Sequence, residues 1–375
     1  MKKINVDLGQ RRYSIFVGMG VLSELPRVLG AISKDSPVVI ITDRNVISAC
    51  GKMVRKVLRD FPAPCVEIVL EPGEKAKSLK VFSGAVAAIA ERTRGHKPTL
   101  VALGGGVIGD LAGFIAATYR RGVPLVQVPT TLLAQVDSSC GGKVGVDLVK
   151  AKNIVGAFYQ PRAVLADTRF LKSLPDRQVL SGLAEVIKYA VIKSPALFDR
   201  LEKNMAKVKS LDKDLMEYVI SRCLSIKAGI VERDEFDSGD VRIILNFGHT
   251  LGHAVESASG YSGIYDHGEA VSIGMVMAGE IAVRLGIFAQ SGQQRMKDLL
   301  RSAGLPLCPE GVAVRKVLTS YKYDKKFTSG RNRFVLPEKI GKVRVFEDVP
   351  ESLIEDVVSG VCGLRKKDST GRSAP

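Results

Sequence analysis

The sequence contains no tryptophan, only four histidines, and only six cysteines among its 375 residues. The cysteines are widely separated and form no C-x-x-C pair, which argues against a disulfide framework and against a cysteine-rich zinc module.

Long apolar runs are also missing, because the nearest approach, residues 100–119, is interrupted by glycines and by Asp110. A membrane span needs about 20 continuous apolar residues. The first residues are charged where a secretory signal would be apolar. We therefore expect a soluble cytoplasmic protein.

Acidic residues are also few for a chain of this size. There are 39 Asp and Glu against 55 Lys and Arg, which gives a formal net charge of +16. Such a field favours anionic partners, but charge alone does not distinguish nucleic acids, membranes and phosphorylated metabolites. Basic residues interleaved with aromatics, the pattern of a nucleic-acid surface, do not occur, so we expect neither a nucleic-acid nor a membrane partner. Residues 365–375, which begin Arg-Lys-Lys, are predicted to form a disordered basic tail.

The chain changes character near residue 178. Before it, short β-rich runs at 37–42, 65–70, 99–103 and 125–128 alternate with helical patterns, which predicts an α/β domain with a parallel sheet at 1–178. After it, long helical periodicity at 183–193, 211–231 and 270–285 predicts a mainly α-helical domain at 179–364. A chain of this length is expected to form roughly two domains.

A glycine-rich turn follows the predicted strand at 99–103. It begins Gly104-Gly105-Gly106, continues to Gly109-Asp110, and leads into a predicted helix. This is the G-x-G-x-x-G pattern, in which glycines let backbone N–H groups approach a pyrophosphate at a helix N-terminus. A tight structural turn is the alternative. Asp43, at the carboxyl end of the strand at 37–42, is a candidate ribose ligand or a cap of the next helix.

Three of the four histidines, His249, His253 and His267, fall within nineteen residues. His249 and His253 are four apart, so on a helix they share one face, a spacing suited to metal binding. His267 is predicted to open another helix, with Asp266 and Glu269 as a capping box. Spacing does not decide which histidines are ligands, and helix-end or core histidines are the alternative.

A carboxylate from elsewhere could complete such a metal site, since catalytic zinc sites often mix His with Glu. Glu185 is a candidate because it lies in an otherwise apolar helix, three residues before Lys188. The alternative is an ordinary surface ion pair between these two side chains. Further basic residues in polar or glycine-rich segments suit phosphate and carboxylate binding, or are solvated surface charges: Arg121, Lys143, Lys152, Lys188, Lys227, Arg242, Lys325 and Lys326.

Eight motifs, which follow one another in order between residues 104 and 326, together resemble the 3-dehydroquinate synthase family, and the resemblance covers roughly residues 5–360. They are Gly104–Asp110, Tyr119–Gly122, Pro129–Thr131, Gln135–Lys143, Gly182–Lys188, Asn246–His253, His267–Ala270 and Asp324–Lys326. The family fold is an N-terminal α/β dinucleotide-binding domain and a helical C-terminal metal-binding domain, with the active site in the cleft. A homodimer is the family's assembly.

The resemblance implies a role for each matching residue. The metal, zinc or cobalt, is held by Glu185, His249 and His267, so His253 is not a ligand. The catalytic residues are Lys143, Lys188, His253, Asn246 and Asp137. The substrate-binding residues are Arg121, Lys152, Asn153, Lys227, Arg242, Lys325 and Lys326, with Lys227 and Arg242 on the substrate carboxylate. The NAD-binding residues are Asp43, Gly73, Glu74, Lys77, Gly105, Gly106, Asp110, Thr130, Thr131, Lys143, Lys152, Phe170, Ser173 and Gln178.

The reaction that the resemblance implies is a lyase reaction of the shikimate pathway. It converts 3-deoxy-D-arabino-heptulosonate 7-phosphate, a phosphorylated sugar acid, to 3-dehydroquinate and phosphate. NAD is transiently reduced, phosphate leaves by β-elimination, the hydride returns, and an intramolecular aldol step closes the ring. NAD therefore acts as a catalyst, with no net redox change.

Three residues around Lys143 differ from the common family sequence motif: Cys140, Val144 and Asp147. The nearest alternative function is another sugar phosphate cyclase, a 2-deoxy-scyllo-inosose or valiolone-type synthase. Substrates of those enzymes lack the carboxylate, so the presence of both Lys227 and Arg242 favours the 3-dehydroquinate synthase reaction. A metal-dependent polyol dehydrogenase would accumulate NADH, and a non-catalytic basic binding module would not need the metal residues.

Overall fold

A computed structural model describes residues 1–148, 151–260, 264–327 and 332–363; for 151, 152 and 324–327 only the backbone is described. The chain divides into two compact units. The first comprises Met1–Val179 and Leu211–Phe236, and the second comprises Leu180–Ser210 and Asp237–Pro375. The predicted basic tail lies outside the described residues, and the boundary near residue 178 stays a prediction.

Eleven strands and twelve α-helices are found in the described residues. The strands are β1 (Lys2–Val6), β2 (Tyr13–Gly18), β3 (Val38–Asp43), β4 (Cys65–Leu70), β5 (Thr99–Gly104), β6 (Leu125–Pro129), β7 (Lys143–Leu148), β8 (Ala151–Phe158), β9 (Ala163–Asp167), β10 (Arg333–Lys339) and β11 (Lys342–Glu347). The helices are α1 (Leu25–Ile32), α2 (Arg44–Val57), α3 (Leu79–Arg92), α4 (Gly106–Thr118), α5 (Asp176–Lys193), α6 (Pro195–Lys209), α7 (Lys213–Val231), α8 (His249–Ala258), α9 (His267–Arg284), α10 (Gln290–Ala303), α11 (Val314–Phe327) and α12 (Glu351–Gly363).

The first unit is built on a seven-stranded sheet in the order β1-β2-β9-β6-β5-β3-β4. All neighbouring strands are parallel except β1 and β2. The central strands β5, β6 and β9 are buried along their whole length and are mostly apolar because helices cover both faces, which is the usual reason for such runs in a parallel sheet. The predicted α/β class is confirmed.

Separate apolar cores lie on the two faces of this sheet. One contains Leu25 and Leu29 of α1 with Val54 of α2. The other contains Ile89 of α3 with Leu111 and Ile115 of α4. The carboxyl ends of β3, β5, β6 and β9 lie at one edge of the sheet, where open α/β sheets bind ligands.

The second unit is mainly helical, as predicted, and adds one antiparallel hairpin, β10–β11. Its α9 is buried on nearly every side from Gly268 to Ala282, which is typical of a helix at the centre of a core. No helix among the described residues is both long enough and apolar enough to cross a membrane.

Candidate metal centre and nucleotide site

Two helices of the second unit begin at candidate metal ligands, α8 at His249 and α9 at His267. They pack closely because glycines face each other: a Cβ on Gly274 would lie 1.9 Å from the carbonyl oxygen of Gly248, and one on Gly252 would lie 2.9 Å from that of Ala270. Gly248, the residue before α8, has a φ of 80°, a left-handed conformation that favours glycine. The glycines therefore hold α8 close against the first half of α9.

A third helix, α5, joins this pair through Gly268. A Cβ at that position would lie 2.2 Å from the carbonyl oxygen of Ser181, and the Gly268 N–H donates to Ser181 Oγ at 3.2 Å. Glu185 follows one turn after Ser181 on α5, so the contact places its carboxylate beside His267. The predicted capping box is also present, since Glu269 Oε2 accepts from the backbone N–H of Asp266 at 2.8 Å.

The structure brings together the three residues predicted to hold a metal. Glu185 Oε1 lies 3.6 Å from His249 Nε2 and 3.6 Å from His267 Nε2. One donor atom from each residue lies within 4.8 Å of the other two. Glu185 has no exposed side-chain surface, whereas the His267 side chain is 34% exposed. Two imidazoles and a carboxylate form a donor set suited to zinc or a similar divalent ion with an open position.

Lys188 pairs with the Glu185 carboxylate one turn along α5. Both side chains are buried, at 2% and 0% exposed, so the pair is not the surface ion pair that the sequence left open. Burial and the nearby Lys188 charge together lower the pKa of His249 to about 3, although Glu185 opposes the fall. Burial also acts to lower the pKa of His267, but the neighbouring carboxylates of Glu185 and Glu256 outweigh it and raise that pKa to about 9.

His253 lies next to the centre but outside the three-residue cluster. Its ring centroid is 5.4 Å from that of His249 and 6.1 Å from that of His267, and its side chain is exposed. Asn246, also exposed, ends a short 3-10 helix that begins at the buried Arg242. The side chains of Lys325 and Lys326 on α11 lie outside the described residues.

Sequence reasoning missed Glu256 at this centre. Its Oε2 lies 3.8 Å from His267 Nδ1. The signal that could have found it is the spacing on α8, since Glu256 follows His253 by three residues and His249 by seven, which places all three on one helical face.

The first unit holds the glycine turn at the carboxyl end of β5. Gly105 caps α4, and a Cβ on it would lie 3.0 Å from Thr131 Cγ2. The Thr130 N–H donates to the Gly104 carbonyl at 2.9 Å, which places the Thr130 and Thr131 segment beside the turn. The buried Thr130 hydroxyl has no hydrogen-bond partner among the described residues. A bare helix N-terminus with an unsatisfied hydroxyl beside it fits the pyrophosphate of a dinucleotide.

Three predicted ligand-binding residues of this unit contact one another. The buried Lys77 ammonium pairs with Asp110 Oδ2 at 2.7 Å and also with Asn153 Oδ1. Asn153 has a φ of 57°, and its N–H donates to Asp147 Oδ1 at 2.7 Å. Burial raises the pKa of Asp110, although the charge of Lys77 opposes the rise. This cluster joins α4, the segment before α3 and the β7–β8 hairpin.

Lys227 and Asp137 form a second pair in the first unit. The Lys227 ammonium donates to the Asp137 carboxylate at 2.7 Å and to its carbonyl at 2.8 Å. Lys227 lies on α7, which belongs to the first unit, whereas Arg242 belongs to the second.

The other predicted NAD-binding residues differ in their burial and in their contacts. Asp43 caps α2, since its Oδ1 accepts from the backbone N–H groups of Asn45 and Val46 at 2.9 Å. Phe170 is buried in the core, so only its backbone is available to a ligand, and Ser173 Oγ donates to the Phe170 carbonyl. Gly73, with a φ of 98°, Glu74 and Gln178 are exposed.

Lys143 does not lie in a loop but begins β7, which pairs with β8. Of the three residues that differ from the family motif, Val144 is buried against Gly113 of α4, and Cys140 Sγ lies 3.4 Å from the Tyr13 hydroxyl. Asp147 fixes the hairpin through Asn153.

Arg121 is exposed with a φ of 63°, and the side chain of Lys152 lies outside the described residues.

Comparison with known proteins places these features in a family. Residues 67–181 match the family model for the 3-dehydroquinate synthase N-terminal region, and residues 182–327 match that for the C-terminal region. A 3-dehydroquinate synthase of Desulforamulus reducens is 43% identical over 96% of this chain and 100% of its own length.

Solved structures of related cyclases have the same fold. A 2-deoxy-scyllo-inosose synthase complexed with carbaglucose-6-phosphate, NAD+ and Co2+ is 26% identical, covering 96% of this chain and 100% of its own, with a TM-score of 0.87. A 2-epi-5-epi-valiolone synthase of Streptomyces hygroscopicus subsp. jinggangensis with NAD+ and Zn2+ bound is 27% identical, covering 94% and 97%, with a TM-score of 0.85. These cyclases share the fold at lower identity, whereas both family models and the more similar relative agree on one name: the chain belongs to the 3-dehydroquinate synthase family.

Proposed function

We propose that this protein converts 3-deoxy-D-arabino-heptulosonate 7-phosphate to 3-dehydroquinate and inorganic phosphate, as a carbon–oxygen lyase. The observation that carries the proposal is the convergence of Glu185, His249 and His267 on one point in a chain of this family. Retention of Lys227 and Arg242, the two basic residues that the resemblance assigns to the substrate carboxylate, supports the acid substrate over the neutral sugars of the other cyclases.

The proposed cofactors are NAD and a divalent metal, zinc or cobalt. Glu185, His249 and His267 would hold the metal, and the turn at Gly105 and Gly106 with Thr130 would hold the pyrophosphate of NAD. When bound, NAD accepts and returns a hydride, and the metal acts as a Lewis acid on the substrate hydroxyls.

Residues of the second unit would bind the substrate around the metal ligands. Asn246 and His253 offer exposed polar groups beside the histidine cluster, with His253 Nδ1 or Nε2 able to exchange a proton with a substrate hydroxyl. The Lys188 ammonium, which pairs with the buried Glu185 carboxylate, would stabilise negative charge that develops on substrate oxygens. The Arg242 guanidinium suits two-point contact with a carboxylate.

Residues of the first unit would hold the cofactor and further substrate groups. Lys77 orders Asp110 and Asn153 into one cluster next to the glycine turn. Lys143, Lys152 and Arg121 are proposed to neutralise the substrate phosphate, and Asp137 to accept a hydrogen bond from a substrate hydroxyl. We also propose a homodimer in the cytoplasm.

The test is phosphate release from the proposed substrate by purified protein, with NAD, before and after metal removal by a chelator, while the absorbance of NADH is followed. We expect release that needs both NAD and metal, without accumulation of NADH. Coupling to a dehydroquinase would identify the product. Release from glucose 6-phosphate or sedoheptulose 7-phosphate instead would replace the substrate assignment with another cyclase, and steady NADH formation would indicate a dehydrogenase.

A further inference from the structure

Glu256 lies at the metal centre without belonging to the donor set. It follows His249 and His253 on the same face of α8, and its carboxylate Oε2 lies 3.8 Å from His267 Nδ1. Its side chain is 13% exposed, so this carboxylate is largely withdrawn from solvent. A carboxylate at this position faces the imidazole nitrogen that points away from the metal donors.

Each of the two histidine ligands has its Nε2 near Glu185 and an oxygen near its Nδ1, but the residue that supplies this oxygen differs. His249 Nδ1 lies 3.2 Å from the Phe247 carbonyl oxygen, while its Nε2 lies 3.6 Å from Glu185. His267 has its Nε2 at the same distance from Glu185, and Glu256 takes the place of the carbonyl at Nδ1. An acceptor at Nδ1 fixes the tautomer that leaves Nε2 free to bind a metal.

His267 has particular need of such an anchor. Its side chain is 34% exposed against 14% for that of His249. It is also the first residue of α9, where the packing of a preceding helical turn is missing. Because few neighbouring atoms limit the rotation of its ring, a partner on the adjacent helix α8 contributes more to its orientation.

We propose that Glu256 is a positioning residue that holds His267 with Nδ1 protonated and Nε2 directed at the metal. This inference rests on the proposed function, because it takes Glu185, His249 and His267 to be the metal ligands. Glu256 is not one of the three donors, so its proposed effect is on metal affinity and ligand orientation.

The test compares Co2+ and Zn2+ affinity, measured by competition with a chromogenic chelator, in wild type, Glu256→Ala and Glu256→Gln. Removing such an outer partner typically weakens metal binding about 10- to 100-fold. We expect a loss in that range for Glu256→Ala. Glu256→Gln should lose less, because its amide oxygen keeps an acceptor near Nδ1. The Co2+ absorption spectrum of Glu256→Ala should also change, since ring rotation alters the ligand geometry.

Glu280→Ala is the matched control. Glu280 is a partly buried carboxylate in the same unit, 22% exposed, which pairs with Arg284 rather than with a histidine. Its metal affinity and Co2+ spectrum should equal those of wild type. If Glu256→Ala is too unstable to isolate, Glu256→Leu decides, because it keeps similar volume and removes the acceptor: wild-type affinity together with an unchanged ¹⁵N chemical shift of His267 Nδ1 would then count against the proposal.

The outcome also separates this inference from the proposed function. If Glu256→Ala has the affinity and spectrum of wild type while His249→Ala abolishes metal binding, the positioning role alone would be overturned. Metal binding in wild type that His249→Ala leaves unchanged would instead overturn the metal centre, and this inference with it.

Discussion

Glu185 and Lys188 are the most deeply buried charged residues of the metal centre, and each depends on the other. Neutralising one partner of a buried ion pair costs about 3–5 kcal/mol because the other charge stays buried. We therefore expect Glu185→Gln to lower the stability of the metal-free protein by an amount of that order. Urea unfolding in the presence of a chelator measures the loss.

The double variant Glu185→Gln/Lys188→Met separates stability from metal binding. It removes both charges, so it should recover most of the lost stability while binding no metal, as measured by metal content after dialysis. Equal stability of the single variant and wild type would show that the pair contributes nothing to folding.

Asp167 stabilises the first unit through a buried carboxylate at the end of β9. Burial alone would raise its pKa, but hydrogen bonds from the Arg169 side chain and from the N–H groups of Leu22, Arg169 and Gly20 outweigh burial and lower it. A lowered pKa means that the carboxylate stabilises the fold above its unfolded-state pKa, about 3.9, and that this contribution disappears as pH falls through the folded-state value.

Asp167→Asn should therefore be destabilised by about 2–3 kcal/mol at pH 7, where the ionised carboxylate is lost. The difference from wild type should shrink as the pH falls below about 4, because the unfolded wild-type chain then gains a proton that the folded carboxylate resists, and it should vanish once the folded carboxylate is protonated too. Urea midpoints across this pH range measure it. The exposed Asp60→Asn is the control and should match wild type throughout; a difference for Asp167→Asn that is independent of pH would contradict the carboxylate's role.

The sequence could predict the residue types of the metal centre but not, from spacing alone, which histidines meet. His249 and His253 share a helical face, yet the cluster contains His267 from another helix, and only the family resemblance separated these possibilities. The reason is that glycine contacts between α8, α9 and α5 place the donors, and such contacts join residues far apart in sequence. Similarly, nothing local distinguishes Asp43 as a ribose ligand from Asp43 as the cap of α2.

At the level of elements, the contact between α8 and α9 is the feature on which the metal centre depends. A methyl group on Gly274 would lie 1.9 Å from the Gly248 carbonyl and 2.7 Å from the Gly252 nitrogen, so the helices would have to separate. We expect Gly274→Ala to lose about 2–3 kcal/mol or more, the usual cost of overpacking, and to bind metal more weakly. Thermal unfolding and chelator competition measure the two effects.

Gly360→Ala is the control for Gly274→Ala. Gly360 lies exposed in α12 of the same unit, where the nearest atom to an added methyl group is 3.8 Å away. Alanine there should stabilise the helix by about 0.5–1 kcal/mol, since it loses less backbone entropy than glycine. An equally mild effect of Gly274→Ala would show that α8 and α9 can separate without cost.

β3 was predicted to within one residue at each end, and β5 and β6 to within one residue at one end, because strands covered on both faces leave continuous apolar runs. β4 was predicted with its observed bounds although it is an edge strand of mixed burial. β1, β2 and the β7–β8 hairpin were not predicted. β1 is largely exposed and carries two lysines, and β7 and β8 contain glycines, so neither pattern stands out from a loop. That α7 belongs to the first unit depends on long-range packing, which helical periodicity does not encode.

For the whole molecule, fold and substrate are decided by different features. The cyclase structures with TM-scores of 0.87 and 0.85 share the architecture at 26% and 27% identity, so the fold itself does not select the sugar. We propose that selection comes from side chains such as Lys227 and Arg242, together with the charge of the surface around them. The net charge of +16 is thus relevant to a substrate that carries both a phosphate and a carboxylate.

This charge predicts salt-dependent capture of the proposed substrate. A positive protein attracts an anionic substrate over a distance set by the Debye length, about 10 Å at 0.1 M salt. We expect kcat/KM to fall roughly tenfold as NaCl rises from about 20 mM to about 500 mM, because screening slows association and weakens the initial complex. The value of kcat at saturating substrate should change little, since the bound substrate is held by short-range contacts that salt screens weakly. Initial rates of phosphate release over a range of substrate and salt concentrations measure both constants. A kcat/KM that stays constant while KM and kcat are both well determined would mean that the charge lies away from the path of the substrate.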